Sequence, residues 1–398
     1  MDAHQDTRKY RKKLVNAYLW VKCLEDASFG WFGTTYVLFL LGCGITPEQA
    51  TQINTIFMTV NFFIDLPTGA LGDLFGQIPV YLIGLVIVSG GFFLYGFGTT
   101  FWFFVMCEAF SAIGTALMSE ALEAMITSEI GTRMVKKVHA REGVITRLAT
   151  IPTKILGSFA GAIFGLQLPW MLASISMLIT FSVGVITLSK FHKKPEQNSK
   201  SKKHFWATVR TGVRLLLGQK QTRFVLLIVC ALSATMQAPN MFWTIILKEQ
   251  SNSAGWLGFM WIGMAGAMAY GSHAARKISF TKRNICLLLL SIGGPLWLCA
   301  IIPPIAWLTS VLFIVHEIGR GALPVILYAY LNDHIPSPLR TTTNSARGSI
   351  ERMFQAIGLL SAGILSNHMS LISTWLVSGE VLIILAVLIT IPRRKIVK

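Results

Sequence analysis

Asp65-Leu66-Pro67-Thr68-Gly69-Ala70-Leu71-Gly72-Asp73-Leu74-Phe75-Gly76-Gln77 joins two apolar runs, 48–68 and 79–98. Each run is long enough to cross about 30 Å of hydrocarbon as a helix. A joint this short requires the second helix to turn straight back, and Gly69 and Gly76 are expected to make that turn tight. Asp73 can accept from the N–H groups at a helix end and can pair with cations across a cytoplasmic gap. It is the leading conformational residue, with Asp65, Gly69 and Gly76 as its gating companions. The usable cations lie in the next basic connection, at Arg133, Lys136, Lys137 and Arg141.

Outward from this joint, apolar runs of similar length recur, giving twelve spans near 15–41, 48–68, 79–98, 101–126, 142–165, 169–189, 222–247, 254–275, 284–302, 305–331, 343–366 and 370–391. Their connections alternate in charge. Lys and Arg number 5 in the tail to Lys13, 4 in 127–141, 10 in 190–223, 4 in 276–283 and 4 from Arg393 onward. The connections near 42–47, 99–101, 166–169, 303–304 and 367–370 have none, and the one near 248–252 has Lys248 alone. Since cytoplasmic loops retain Lys and Arg, both termini are expected in the cytoplasm.

Composition agrees, with 53% hydrophobic and only 13% charged residues, about half the charge of an ordinary soluble domain. The formal charge of +17 does not call for nucleic acid, because the basic residues are spread over short loops where orientation in the bilayer accounts for them. The six cysteines have no CxxC spacing and read as buried apolar residues, so no disulfide frame and no metal site is expected. No P-loop and no nucleophile–base arrangement stands out, which speaks against an enzyme and against a need for cofactors. The first apolar segment carries Lys22, Glu25 and Asp26 and leads into another span, unlike a cleaved signal.

The spans divide six and six, into halves 1–189 and 222–398. The divider, 190–221, begins as a polar linker. It then places Phe205, Trp206, Val209, Val213 and Leu216 at helical spacing against Lys203, Arg210 and Arg214, as in a basic amphipathic helix lying on the membrane surface.

The quoted joint resembles G-x-L-a-D-r-x-G-r-k, the signature of the major facilitator superfamily, and Asp65-x-Pro67-Thr68-Gly69 resembles an acidic-x-Pro-Thr-Gly variant of one bacterial branch. Further likeness lies in Gly114 to Ala124, with Ser119, Glu120 and Glu123, and in Arg320-Gly321, Pro324, Asn332, Pro336 and Arg340-Thr341. The resemblance implies an all-α polytopic fold of twelve helices in two parallel halves, with cargo held near the bilayer midplane between them. The sequence departs from the pattern at Leu74, Gln77 and Ile78, where basic residues are usual. It departs again in span five, which lacks the Gly-Pro-rich motif of drug antiporters but offers Gly157, Gly161 and Gly165 as a small-residue packing face.

Charges at membrane depth cost at least about 2.5–3.5 kcal/mol each and are therefore paired, wet or functional. Glu25 and Asp26 lie about ten residues into span one, some 15 Å deep, with Lys22 one turn away. Together with His316 and Glu317 of span ten they are the proton-coupling candidates. Arg320 is the nearest partner for Glu317, and Lys154 of span five is a cation that either faces cargo or pairs with span one. Glu120 and Glu123 at the depth of Arg147, and Arg347 with Glu351 and Arg352, are expected as inner-gate ion pairs, joined in the gating set by Arg320 and Arg340. Glu108 and Glu380 receive no role. Phe29, Trp31, Phe32 and Tyr36 of span one, and Gln237, Pro239, Asn240, Phe242 and Trp243 of span seven, offer aromatic and polar surface; with Lys22 and Lys154 they are the cargo-cavity candidates. Pro239 is expected to interrupt its helix.

The sequence therefore predicts a multi-pass protein of a bacterial inner membrane that functions as a monomer, moving a small organic molecule by alternating access, with proton-coupled efflux as the leading mode. Proton-coupled uptake, and a non-transporting sensor or scaffold on the same fold, are the alternatives.

Overall fold

The computed structural model describes residues 2–192, 213–251, 255–335 and 340–391, and the described residues form no strand. In the first half run α1 (Asp2–Gly30), α2 (Tyr36–Gly42), α3 (Pro47–Phe75), α4 (Gln77–Tyr95), α5 (Phe101–Ile130), α6 (Thr132–Phe164) and α7 (Leu168–Leu188). In the second run α8 (Lys220–Thr235), α9 (Gln237–Ser251), α10 (Trp256–Ala274), α11 (Lys282–Ile301), α12 (Ala306–Asp333), α13 (Arg340–His368) and α14 (Leu371–Thr390). Several helices outrun their predicted spans. α1 starts well before residue 15 and α6 before 142, because a helix does not stop where hydrocarbon stops. Of the expected amphipathic helix, residues 213–218 are helical and Leu216 is buried, while Lys203, Phe205, Trp206, Val209 and Arg210 lie outside the described residues.

Span one is two helices, α1 and α2, separated by a turn at 31–35. Span seven is likewise two, α8 and α9, parting at Met236. Pro239 stands in the first turn of α9, where its missing N–H removes a donor that no helical carbonyl would have met. The expected interruption thus falls just before the proline. Seven segments are long and apolar enough to cross a membrane on length and composition alone, among them the whole of Lys220–Ser251. Among the described residues α1, α3, α6, α10 and α13 do not meet that standard.

The turns of the first half rest on glycines with positive φ, Gly76 (88°), Gly131 (79°) and Gly165 (98°), at the joints α3–α4, α5–α6 and α6–α7, a region closed to most side chains. This corrects two expectations. Gly69 lies inside α3, so Gly76 alone makes the quoted joint; and Gly165 is a turn residue, leaving Gly157 and Gly161 as the packing face of α6. A Cβ on Gly157 would strike the backbone of Trp31, and one on Gly161 would crowd Thr35 and Pro169. α3 opens with a reciprocal cap, in which Thr46 Oγ1 accepts from the Gln49 N–H (3.2 Å) and the Gln49 side chain accepts from the Thr46 N–H (3.0 Å).

The chain forms two compact units, Met1–His204 with Ser253–Gly258, and Phe205–Asn252 with Phe259–Lys398. Inside the first, spans one and five, one and six, three and four, and three and six are neighbours; inside the second, spans seven and eleven, seven and twelve, nine and ten, and nine and twelve are neighbours. The same pattern of partners recurs six spans later, although residue identity between the halves does not display it.

Candidate functional site

In the first half, the α1 stripe carrying Tyr18, Lys22 and Glu25 repeats at helical spacing and buries against α4 and α6. Glu25 is 6% exposed. Its Oε1 accepts from Lys22 Nζ at 2.5 Å and its Oε2 from the Tyr81 hydroxyl of α4 at 2.8 Å. Both oxygens are thus satisfied, one of them by a group from another helix. Asp26 is half-buried. The Lys154 side chain runs over Gly33 in the turn between α1 and α2, with Cε 3.2 Å from where a Cβ would stand.

One turn toward the chain start, Tyr18 donates to Glu142 of α6 at 2.7 Å, and His139 Nδ1 lies 2.8 Å from the same carboxylate oxygen. His139 Nε2 faces Glu123 of α5 across 3.8 Å. Glu123 therefore meets a histidine; the expected pairing with Arg147 is not formed, and Arg147 is exposed and has no ion pair among the described residues. His139 stands outside the membrane-spanning part of α6, and its hydrogen bond to Glu142 holds its pKa above the ordinary value of 6.5.

The aromatic candidates of span one are half-buried, and Phe29, Phe32 and Tyr36 are in contact with other rings. Phe32 stacks on Trp170 of α7 at 4.1 Å, and Phe29 and Phe32 meet Phe92 of α4 at 5.3 and 4.9 Å. The Trp31 Nε1 is buried without a hydrogen-bond partner. The Tyr36 hydroxyl donates to Glu108 of α5 at 2.7 Å and that of Tyr95 donates to the same oxygen at 3.3 Å. Glu108, to which no role was given, is thus the centre of a buried polar group. The only signal in the chain was a lone carboxylate in an apolar helix start, and its partners lie on other helices.

In the second half, Glu317 is 1% and His316 0% exposed on α12. Arg320 Nη1 donates to Glu317 Oε1 at 2.8 Å, whereas Glu317 Oε2 has no hydrogen-bond partner. His316 Nδ1 bonds the Phe313 carbonyl, and its Nε2, 3.7 Å from Glu317 Oε1, is also without a hydrogen bond. Trp243, a cargo candidate, is 5% exposed and stacks against Phe313, which in turn packs on Trp375. Its indole is thus part of the core of this half. Gln237 is buried and spans the break before α9, donating to the Ser233 carbonyl at 2.7 Å, while Asn240 is exposed. Arg347 pairs with Glu351 at 2.7 Å along α13 and lies over the Tyr328 ring at 5.5 Å. Asp65, Asp73, Glu120 and Arg340 are on helices, with side chains outside the described set.

A family profile described as Major Facilitator Superfamily matches residues 21–315. Among solved structures, the nucleoside transporter NupG matches with a TM-score of 0.73 at 15% identity, covering 94% of this chain and 98% of its own. A bacterial homolog of the human lysosomal transporter Spinster, inward-facing and unoccupied, matches with a TM-score of 0.72 at 13% identity over 96% and 95%. A POT family transporter in complex with 5-aminolevulinic acid matches with a TM-score of 0.73 at 14% identity over 94% and 95%. No curated protein matches the sequence. At these identities the likeness is one of fold: twelve membrane helices in two halves of six.

Proposed function

The chain belongs to the Major Facilitator Superfamily, and on that premise we propose that it is a secondary transporter of a small organic molecule, driven by alternating access and coupled to proton flow, with efflux as its direction. One observation carries the reading. Each half holds a buried glutamate paired with a base three residues away on the same helix, Lys22–Glu25 at 2.5 Å and Glu317–Arg320 at 2.8 Å. A proton arriving at either carboxylate releases the base, and the released base re-forms the pair when the proton leaves. Each acid–base pair sits within one helix and breaks and re-forms there as water access changes, which is what alternating access supplies.

Other features support the setting. The alternation of Lys and Arg places both termini, the basic connection 127–141 and the linker 190–221 in the cytoplasm, with 1–189 and 222–398 as the halves. Asp65-x-Pro67-Thr68-Gly69 and the short loops favour a bacterial inner membrane, and the protein acts as a monomer. Lys154, Gln237 and Asn240 remain the polar cavity candidates, and Asp26 a proton-coupling candidate; Trp243 serves to hold the helices of its half.

The test uses the purified protein in sealed vesicles with an internal pH dye. Because the solved relatives include a nucleoside transporter and a complex with 5-aminolevulinic acid, the cargo panel starts with nucleosides and small zwitterions beside lipophilic cations. Proton flux opposite to cargo is the expected result, abolished in Glu25→Gln. Co-directional flux overturns efflux in favour of uptake, and cargo movement with no proton flux overturns the coupling.

A further inference from the structure

The first half contains a second buried carboxyl that the exchange at Glu25 leaves unused. Glu108 is 7% exposed and lies seven residues into α5, about 10 Å from its start. Its Oε1 accepts from Tyr36, the first residue of α2, and from Tyr95 near the end of α4. Three helices, α2, α4 and α5, therefore converge on one carboxyl. Trp170 stacks on Tyr95 at 4.0 Å, and the buried Phe104 packs on Tyr95 at 4.9 Å and on the buried Phe39 at 5.9 Å.

The groups facing Glu108 set it apart from the two paired glutamates. The titratable ones are the phenols Tyr36 and Tyr95, with Cys107 beside it on α5. Among the described residues no Lys, Arg or His forms an ion pair with it, whereas Glu25 has Lys22 and Glu317 has Arg320. An ionised carboxylate in such surroundings carries a large desolvation cost that two neutral donors offset only in part, and a proton removes the charge altogether.

We infer that Glu108 is an exchangeable proton-binding site built by Tyr36 and Tyr95 and walled by the Trp170 aromatic cluster. On binding, a proton from water forms an O–H bond on the carboxylate; on release that bond breaks and the proton returns to water, with no other bond made or lost. Both tyrosine hydroxyls donate to Oε1, so the proton adds to Oε2 and the two bonds to Oε1 persist, now to a carbonyl oxygen. The site is independent of cargo and of Glu25.

The experiment is an infrared pH titration of the full-length protein in lipid nanodiscs, in H2O and in D2O, without cargo. Acidification is expected to raise a protonated-carboxyl C=O band that shifts in D2O. Glu108→Gln removes one carboxyl's share of that band, while Tyr36→Phe keeps the share but moves its frequency and midpoint. Persistence of the full band in folded Glu108→Gln overturns the inference, as does a Tyr36→Phe spectrum unchanged in both respects. Suppression of the band by Na⁺ relative to choline also overturns it, by assigning the carboxyl to a metal cation. Should Glu108→Gln fail to fold, the Tyr36→Phe and Tyr95→Phe shifts decide alone. Vesicle flux is read separately, so failure of proton-coupled transport leaves this band in place.

Discussion

Glu25 and Glu317 have the same local design, an acid and a base one helical turn apart, yet the two centres differ in completeness. Glu25 has a donor on each oxygen, and the second, Tyr81, comes from α4. Glu317 has a donor on one oxygen only, and its neighbour His316 carries a second unpartnered atom. A buried polar atom without a partner costs about 1–3 kcal/mol. The first centre is therefore a closed pair that ties two helices together, and the second is a pair with spare hydrogen-bonding capacity. A pair of the first kind must be broken for its carboxylate to exchange a proton, whereas the second has an oxygen already free to take one.

The largest test of this contrast is Glu25→Gln. It leaves Lys22 without its counter-ion and weakens the Tyr81 bond, so a loss of about 3–5 kcal/mol is expected, measured by thermal unfolding in detergent. Tyr81→Phe isolates the inter-helix bond and is expected to cost about 1.5–3 kcal/mol, the range for hydrogen bonds to charged groups. Glu317→Gln should cost less, about 1–2 kcal/mol, because the amide oxygen still accepts from Arg320 and no bond to another helix is weakened among the described residues. Equal losses for Glu25→Gln and Glu317→Gln would erase the distinction between the centres.

The smallest effect is a pH dependence in the first half. His139 has a raised pKa because of its hydrogen bond to Glu142. A group whose folded pKa is raised stabilises fully below its unfolded value, here 6.5, and that stabilisation is lost as pH rises through the higher folded value. Because the pair is partly exposed, its contribution stays under about 1 kcal/mol after screening. Unfolding of wild type and His139→Gln should differ below pH 6.5 and converge at alkaline pH; a difference independent of pH would remove His139 from the network.

The path from sequence to structure was uneven for reasons that particular residues make plain. Lys22–Glu25 and Glu317–Arg320 were legible because residues three apart on a helix face one another whatever else the chain does. Gly76 was legible as a turn, but Gly69 was misplaced beside it, since two glycines in one joint do not say which takes the positive φ. Trp243 read as cargo surface and lies in the core of its half, because composition tells that a face is aromatic and not what lies against it.

By itself, then, the sequence determined the membrane spans, their division six and six, and the two intrahelical acid–base pairs. All of these depend on apolar length or on contacts within a few residues. Only the tertiary structure decided that Tyr81 meets Glu25 across 56 residues, that Tyr36 meets Glu108 across 72 and that Tyr18 meets Glu142 across 124. Those contacts depend on which helix faces pack together, and in a chain whose helices are apolar on nearly every side the hydrophobic pattern alone does not specify the facing partner.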